Sequence, residues 1–196
     1  MNSGKSTLLS TLLRLLDLDS GTIFIDGLDL QTVKREEIRT RLVTIPQDPF
    51  IINETVRVNA DPSGSVSDSV IIEALSKVEL LEAVNSRGGL DAQMKSQPLS
   101  HGEQQLFCLT RALMRKSKIL ILDEATSNVD CATDQLMQKI IRTGFKEHTI
   151  ITVAHRLDTI IDSDMVAVLD SGRLVEFGPP QELLGKESLF KSMLGR

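Results

Sequence analysis

The sequence contains no Trp and no Tyr, and its 3% aromatic content consists of six Phe. It has two Cys and six Pro in 196 residues. Each scarcity excludes something. Cys108 and Cys131 are too few for a disulfide scaffold and have no metal-ligand spacing, which fits a reducing compartment. No apolar run approaches the roughly 18 residues of a membrane span. The opening Met1-Asn2-Ser3-Gly4-Lys5 lacks the apolar stretch of a secretory signal, so a soluble intracellular chain is the default expectation. Basic residues are outnumbered 22 to 27, for a net charge of −5 and a pI near 5.3, which argues against nucleic acid as a partner. With 41% hydrophobic residues, a disordered tail and a collagen-like fibre are both excluded. What remains is a globular chain long enough for one domain, or for one domain with an inserted subdomain.

Leucines at 8, 9, 12, 13, 15 and 16 predict a helix over residues 5–16 with a broad apolar stripe. Asp19-Ser20-Gly21 breaks it, and short strands follow at 22–25 and 42–45. Residues 48–62 read as loop, 67–84 as a helix capped by Ser67 or Asp68, 87–98 as a polar linker and 100–114 as a second helix. Ile119-Leu120-Ile121-Leu122 is a continuous apolar run, as expected of a parallel strand buried on both faces. A helix over 131–143, a strand over 149–153 and a short helix near 156–161 come next. A hairpin around Asp170-Ser171-Gly172 then pairs 165–169 with 174–177. Strands alternating with helices predict an α/β fold. The strandless stretch 48–114 predicts a helical subdomain inserted into a core of residues 1–47 and 115–196.

Gly4-Lys5-Ser6-Thr7, opening an apolar helix, matches the end of a phosphate-binding loop. Backbone N–H groups and the positive end of the helix dipole favour phosphate there. Lys5 would reach the β and γ phosphates, and the Ser6 hydroxyl would bind magnesium. The same residues also read as a glycine N-cap beside a solvated lysine. Asp123-Glu124 follows the apolar strand, 118 residues after Lys5. An Asp at a strand's carboxyl end can bind magnesium, and the neighbouring Glu can polarise a water. Two solvated carboxylates at a strand end are the plain alternative. Leu99-Ser100-His101-Gly102-Glu103 opens a helix, where Ser100 and Glu103 also fit a capping box.

Together these motifs resemble the nucleotide-binding domain of ATP-binding-cassette transporters, whose signature is L-S-G-G-Q. The resemblance covers nearly the whole chain. It implies a P-loop NTPase (RecA-like) core with the helical insertion and a small antiparallel β part, and ATP and magnesium as ligands. Ser100 and Gly102 would meet the γ phosphate of ATP held by a second nucleotide-binding domain. Gln47 matches the Q-loop glutamine, placed near magnesium and the attacking water. Ser127-Asn128-Val129-Asp130 matches the D-loop, although Asp130 also reads as a helix N-cap. His155, 31 residues after Glu124, matches the switch histidine. The implied set is Glu124, His155 and Gln47 for catalysis, Gly4, Lys5, Ser6, Thr7, Ser100, Gly102 and Asp130 for nucleotide, and Ser6, Gln47 and Asp123 for metal. His101 and His148 have no such context.

Ile45-Pro46-Gln47-Asp48-Pro49, Asn59-Ala60-Asp61-Pro62, Thr152-Val153-Ala154-His155-Arg156-Leu157 and Val175-Glu176-Phe177-Gly178 look like the second domain of subfamily C, the multidrug-resistance-associated type. The implied partners are the transmembrane domains of an exporter, at the cytoplasmic face of a membrane. Two departures stand out. Glu103 replaces the signature Gln, placing a carboxylate where it would repel a bound phosphate. The strands, the adenine-stacking aromatic and the first loop glycine that the family places ahead of Gly4 are not in the sequence. The expectation is therefore an N-terminally truncated domain that alone binds ATP weakly or not at all. Two alternatives follow: a catalytically weak or inactive fragment that at most pairs with a partner nucleotide-binding domain, or a non-transport cassette ATPase, which would carry a coiled-coil insertion or a basic face.

Overall fold

A computed structural model describes residues 3–126, 129–153 and 160–194. In chain order the helices are α1 (Lys5–Leu12), α2 (Arg35–Arg41), α3 (Val56–Ala60), α4 (Asp68–Lys77), α5 (Leu81–Asn85), α6 (His101–Leu113), α7 (Cys131–Gly144), α8 (Pro180–Leu184) and α9 (Leu189–Leu194). The strands are β1 (Phe24–Ile25), β2 (Leu28–Asp29), β3 (Leu42–Ile45), β4 (Ile119–Asp123), β5 (Thr149–Val153), β6 (Val166–Asp170) and β7 (Arg173–Gly178). Two compact units result: residues 1–40 with 152–196, and residues 41–151. Among the described residues no helix is long and apolar enough to cross a membrane.

The 41–151 unit is built on a sheet of order β3-β4-β5. β3 and β4 run parallel, Leu42 opposite Ile119 and Ile45 opposite Leu122. Both faces of this pair are covered: Leu42, Val43, Ile45, Leu120, Ile121 and Leu122 are all buried, and Thr44 alone interrupts the apolar run of β3. α6 packs on β3, and Phe107 and Leu109 are fully enclosed. Ile71 and Leu75 of α4 and Met137 of α7 join the same core. Burying each such side chain stabilises the fold by about 1.5–3 kcal/mol. Between β3 and β4 the chain is helical, with a 3-10 turn at Gly89–Asp91 and one isolated bridge between Thr55 and Gln93.

The other unit holds two antiparallel pairs. β1 pairs with β2, and β6 pairs with β7 through a tight turn in which Ser171 and Gly172 both have positive φ. Two positive φ values match the right-handed twist of a two-residue hairpin. Val166 and Val168 pack there against Leu183 and Phe190.

Several elements differ from the sequence expectation. α1 ends at Leu12 rather than residue 16, and the helix predicted over 67–84 is two helices, α4 and α5. Both stops are the same device. After α1 the Arg14 N–H donates to the Thr11 carbonyl and the Leu15 N–H to the Ser10 carbonyl; after α4 the Glu79 N–H donates to Ser76 and the Leu80 N–H to Leu75. This is a Schellman motif, with its left-handed position filled by Arg14 (φ 49°) and by Glu79 (φ 59°) instead of glycine. Residues 48–62 are not all loop, because Thr55 accepts the Val58 N–H and caps α3. The stretch 87–98 is anchored by buried Met94. α2, α8 and α9 carry no long apolar period, which leaves them unmarked in the sequence.

Candidate functional site

Gly4 caps α1 with φ 92°, a left-handed conformation. A Cβ added there would also lie 3.3 Å from the Gly172 Cα. The Ser3 carbonyl accepts the Gly172 N–H at 3.2 Å, tying this loop to the β6–β7 turn. Lys5 bends back, its Nζ donating to Ser3 Oγ at 2.8 Å. Ser6 and Thr7 are exposed, and no acidic residue sits in the first turn of α1. That end of the helix offers N–H groups and an ammonium with no local carboxylate to compete for them.

In the other unit the register of β3 and β4 brings three predicted residues to one edge. Ile45 lies opposite Leu122. Asp123 and Glu124 follow Leu122, and Gln47 follows Ile45 by two, so all three emerge at the carboxyl ends of adjacent parallel strands. In open α/β sheets ligands bind at that edge. Asp123 is half-buried; burial pushes its carboxyl up, and the charge of Glu124 adds to the shift. Glu124 has φ 51°, a strained conformation for a side-chain-bearing residue. The Gln47 side chain is exposed, while its carbonyl accepts Gln105 Nε2 at 2.6 Å.

Ser100 is the N-cap of α6; its Oγ accepts the Glu103 N–H at 3.2 Å, and Glu103 Oε2 accepts the Ser100 N–H at 2.7 Å, completing a capping box. With Oγ as acceptor, the exposed Ser100 O–H is left to donate outward. Gly102 has a packing reason to be glycine, since a Cβ would lie 3.1 Å from Thr133 Oγ1. Thr133 donates to Asp130 Oδ2 at 2.6 Å, and Asp130 Oδ1 accepts the Ala132 and Thr133 N–H groups, capping α7. The Thr133 hydroxyl, helped by those amides, holds the Asp130 carboxyl below its ordinary range. Gly102 and Asp130 therefore meet through one residue, Thr133, which no motif in the sequence marks. His155, Ser127 and Asn128 lie outside the described residues, as does most of the helix predicted near 156–161. His101 is exposed on the first turn of α6, and His148 stacks edge-on against Phe145.

Among the described residues no three His, Cys, Asp or Glu groups form a ready-made metal cage. Magnesium seldom uses one: it takes one or two protein oxygens alongside phosphates and water. The hydroxyl of Ser6, the amide oxygen of Gln47 and the carboxylate of Asp123 are hard donors of that kind. The raised Asp123, beside a second carboxylate, is the electrostatic environment that a cation relieves.

A sequence model of the family described as ABC transporter matches residues 2–127. The chain is 51% identical over 196 residues to an ABC-type transporter of Gibberella zeae, covering 97% of this chain and 13% of that protein. It is 49% identical to ABC multidrug transporter B of Aspergillus fumigatus, with 98% and 13% covered. It is 45% identical to ABC transporter C family member 9 of Arabidopsis thaliana, with the same coverage. Among solved structures, a bacterial Atm1-family ABC exporter with ATP bound superposes with a TM-score of 0.90 at 34% identity, over 99% of this chain and 35% of that one. The chain belongs to the ABC transporter family and has the fold of the nucleotide-binding domain of an ABC exporter. It spans 13% of the length of the curated relatives just named.

Proposed function

We propose that this chain binds ATP with magnesium, hydrolyses it, and powers export through transmembrane domains at the cytoplasmic face of a membrane. The observation that carries the reading is the carboxyl edge of β3 and β4, where Asp123, Glu124 and Gln47 emerge side by side in a chain of this family. Magnesium, when bound, supplies charge neutralisation for the transferred phosphoryl group. By the family resemblance, Asp123, Ser6 and Gln47 are the residues that would hold it. Lys5 and the N–H groups from Gly4 to Thr7 hold phosphate oxygens. Glu124 orients and polarises the attacking water, and His155 takes the role of a γ-phosphate sensor. Ser100 and Gly102 face the nucleotide of a second such domain, with Asp130 at the same contact. Residues 48–114 act as the helical subdomain that relays closure to the membrane part. The transported substrate is chosen by those membrane domains.

The test is Glu124→Gln in the native protein. ATP turnover is expected to be abolished while ATP stays bound, because the change removes the carboxylate and keeps the shape. Hydrolysis at the wild-type rate in that variant would overturn the assignment. Lys5→Ala is expected to weaken ATP binding itself.

A further inference from the structure

Gln105 lies on α6 and is only 1% exposed. Its Nε2 donates to the Gln47 carbonyl at 2.6 Å and to the Pro46 carbonyl at 3.3 Å. Two carbonyls face that end of the amide, so it is the nitrogen end: an oxygen there would meet only acceptors. Oε1 is buried and has no hydrogen-bond partner. A buried acceptor left unsatisfied is unfavourable, and an apolar residue of the same length would avoid it. The donor end is therefore the reason for an amide at this position.

Arg111, on the same helix, acts further along. Its Nη1 donates to the Phe50 carbonyl at 2.6 Å, its Nε to the Asn59 carbonyl at 2.7 Å and its Nη2 to Asn59 Oδ1 at 3.2 Å. Asn59 is fully buried; its Nδ2 donates to the carbonyls of Ile52, Glu54 and Thr55, and its Oδ1 accepts the Ile52 N–H. Residues 46–54 form no helix or strand, so their backbone groups need partners from elsewhere. α6 supplies them at Pro46 and Gln47 and again at Phe50. The Gln47 and Phe50 side chains stay exposed.

We propose that Gln105 is a positioning residue for Gln47: by holding the Gln47 carbonyl it makes the loop over 46–52 one piece with the helix that begins at Ser100 and Gly102. The effect on turnover rests on the ATPase reading of Gln47; the mechanical statement does not. In the native protein, Gln105→Met keeps length and apolar packing while removing the donor. Hydrogen exchange at amides 47–52 is expected to quicken about tenfold while α6 keeps its protection. At the same time kcat for ATP is expected to fall about ten- to a hundredfold with KM little changed, as befits a misplaced group. Gln105→Glu is expected to regain activity relative to wild type as pH falls, since only the protonated carboxyl has an O–H to donate. A residue that merely fills space would leave loop exchange and kcat unchanged in Gln105→Met, and that result overturns the proposal. Should Gln105→Met fail to accumulate, a Gln105→Glu profile parallel to wild type overturns it instead. If Gln47→Ala leaves kcat unchanged, the catalytic reading of Gln47 has failed; loop exchange in Gln105→Met then decides the proposal alone, upholding it if faster and overturning it if not.

Discussion

One guanidinium nitrogen of Arg87 lies 3.1 and 2.9 Å from the two carboxylate oxygens of Glu103, the residue that stands where the family signature has Gln. The same carboxylate accepts the Ser100 N–H, so its charge is engaged on both sides. A carboxylate at this position looked repulsive toward phosphate from sequence alone. With the cation in place the local charge is balanced, and the capping box keeps the Ser100 N–H and O–H at the start of α6. Arg87 is 16 residues away and donates as well to the Ala83 carbonyl, which fixes its fork before it meets Glu103.

Arg87→Ala, Glu103→Gln and the double variant form a cycle. Both side chains are about three-quarters covered, 25% and 23% exposed, between the exposed and the buried limits for ion pairs. A coupling of about 1 kcal/mol is expected from urea denaturation, falling as salt is raised. Glu103→Gln is expected to cost less than Arg87→Ala, because Gln still closes the capping box whereas removing Arg87 leaves a half-buried carboxylate unpaired. A coupling of zero at low salt would show that the two charges are solvated separately.

Gly4→Ala meets two obstacles at once, the left-handed φ of 92° and the Gly172 backbone 3.3 Å from the new Cβ. A loss of about 1–2 kcal/mol is expected from the conformation alone. The contact with Gly172 adds to it, since backbone yields less than a side chain. Thermal unfolding and ATP binding report the two consequences separately. Unchanged stability would mean that the loop relaxes out of the left-handed region.

What could be read from the sequence and what could not divide along physical lines. The run from Ile119 to Leu122 marks a strand buried on both faces because its hydrophobicity depends on no partner, whereas β3 and β5, which contain Thr44, Thr149 and Thr152, are marked by short β-branched runs instead. The placement of Asp123, Glu124 and Gln47 at one sheet edge was legible because each sits at the carboxyl end of such a strand or just beyond it. The ends of α1 and α4 were not. The left-handed residues there are Arg14 and Glu79, and only glycine would have marked the turn. Arg14 is held after its turn by the carbonyls of Leu30, Gln31 and Val33, all remote in sequence. Gln105, Arg111 and Asn59 escaped for the same reason. Each is an ordinary polar residue whose role is set by carbonyls that tertiary structure brings to it.

Asp123→Asn separates stability from function. Burial and the Glu124 charge both raise the Asp123 pKa, so ionising Asp123 works against the fold, and this cost grows as pH rises above its unfolded value. The Asn variant is expected to melt higher than wild type at neutral pH without nucleotide, with the gain vanishing in acid. With magnesium and ATP present the order is expected to reverse, since wild type alone gains the metal. A variant that melts lower in both conditions would show that Asp123 serves the fold and not the cation.

Asp61 carries the opposite sign. The Ser63 hydroxyl, with the Val66 and Ser63 N–H groups and the Ser65 hydroxyl, holds its carboxyl down to about 2 from 3.8. A depressed carboxyl contributes stability that is present above the unfolded value and is lost as pH falls through the folded one. The window for Asp61 therefore runs from 3.8 down to about 2. The hydroxyls and amides that converge on it form the turn between α3 and α4, so ordering of that turn is what the ionised group supports. Asp61→Asn keeps the shape and one acceptor but removes the charge. It is expected to cost about 1 kcal/mol near neutral pH after allowance for solvent screening. The difference from wild type should shrink to near zero at the acid end of the window. Denaturant midpoints measured across that range check it: a constant offset between the two proteins would mean that shape, not charge, holds the turn.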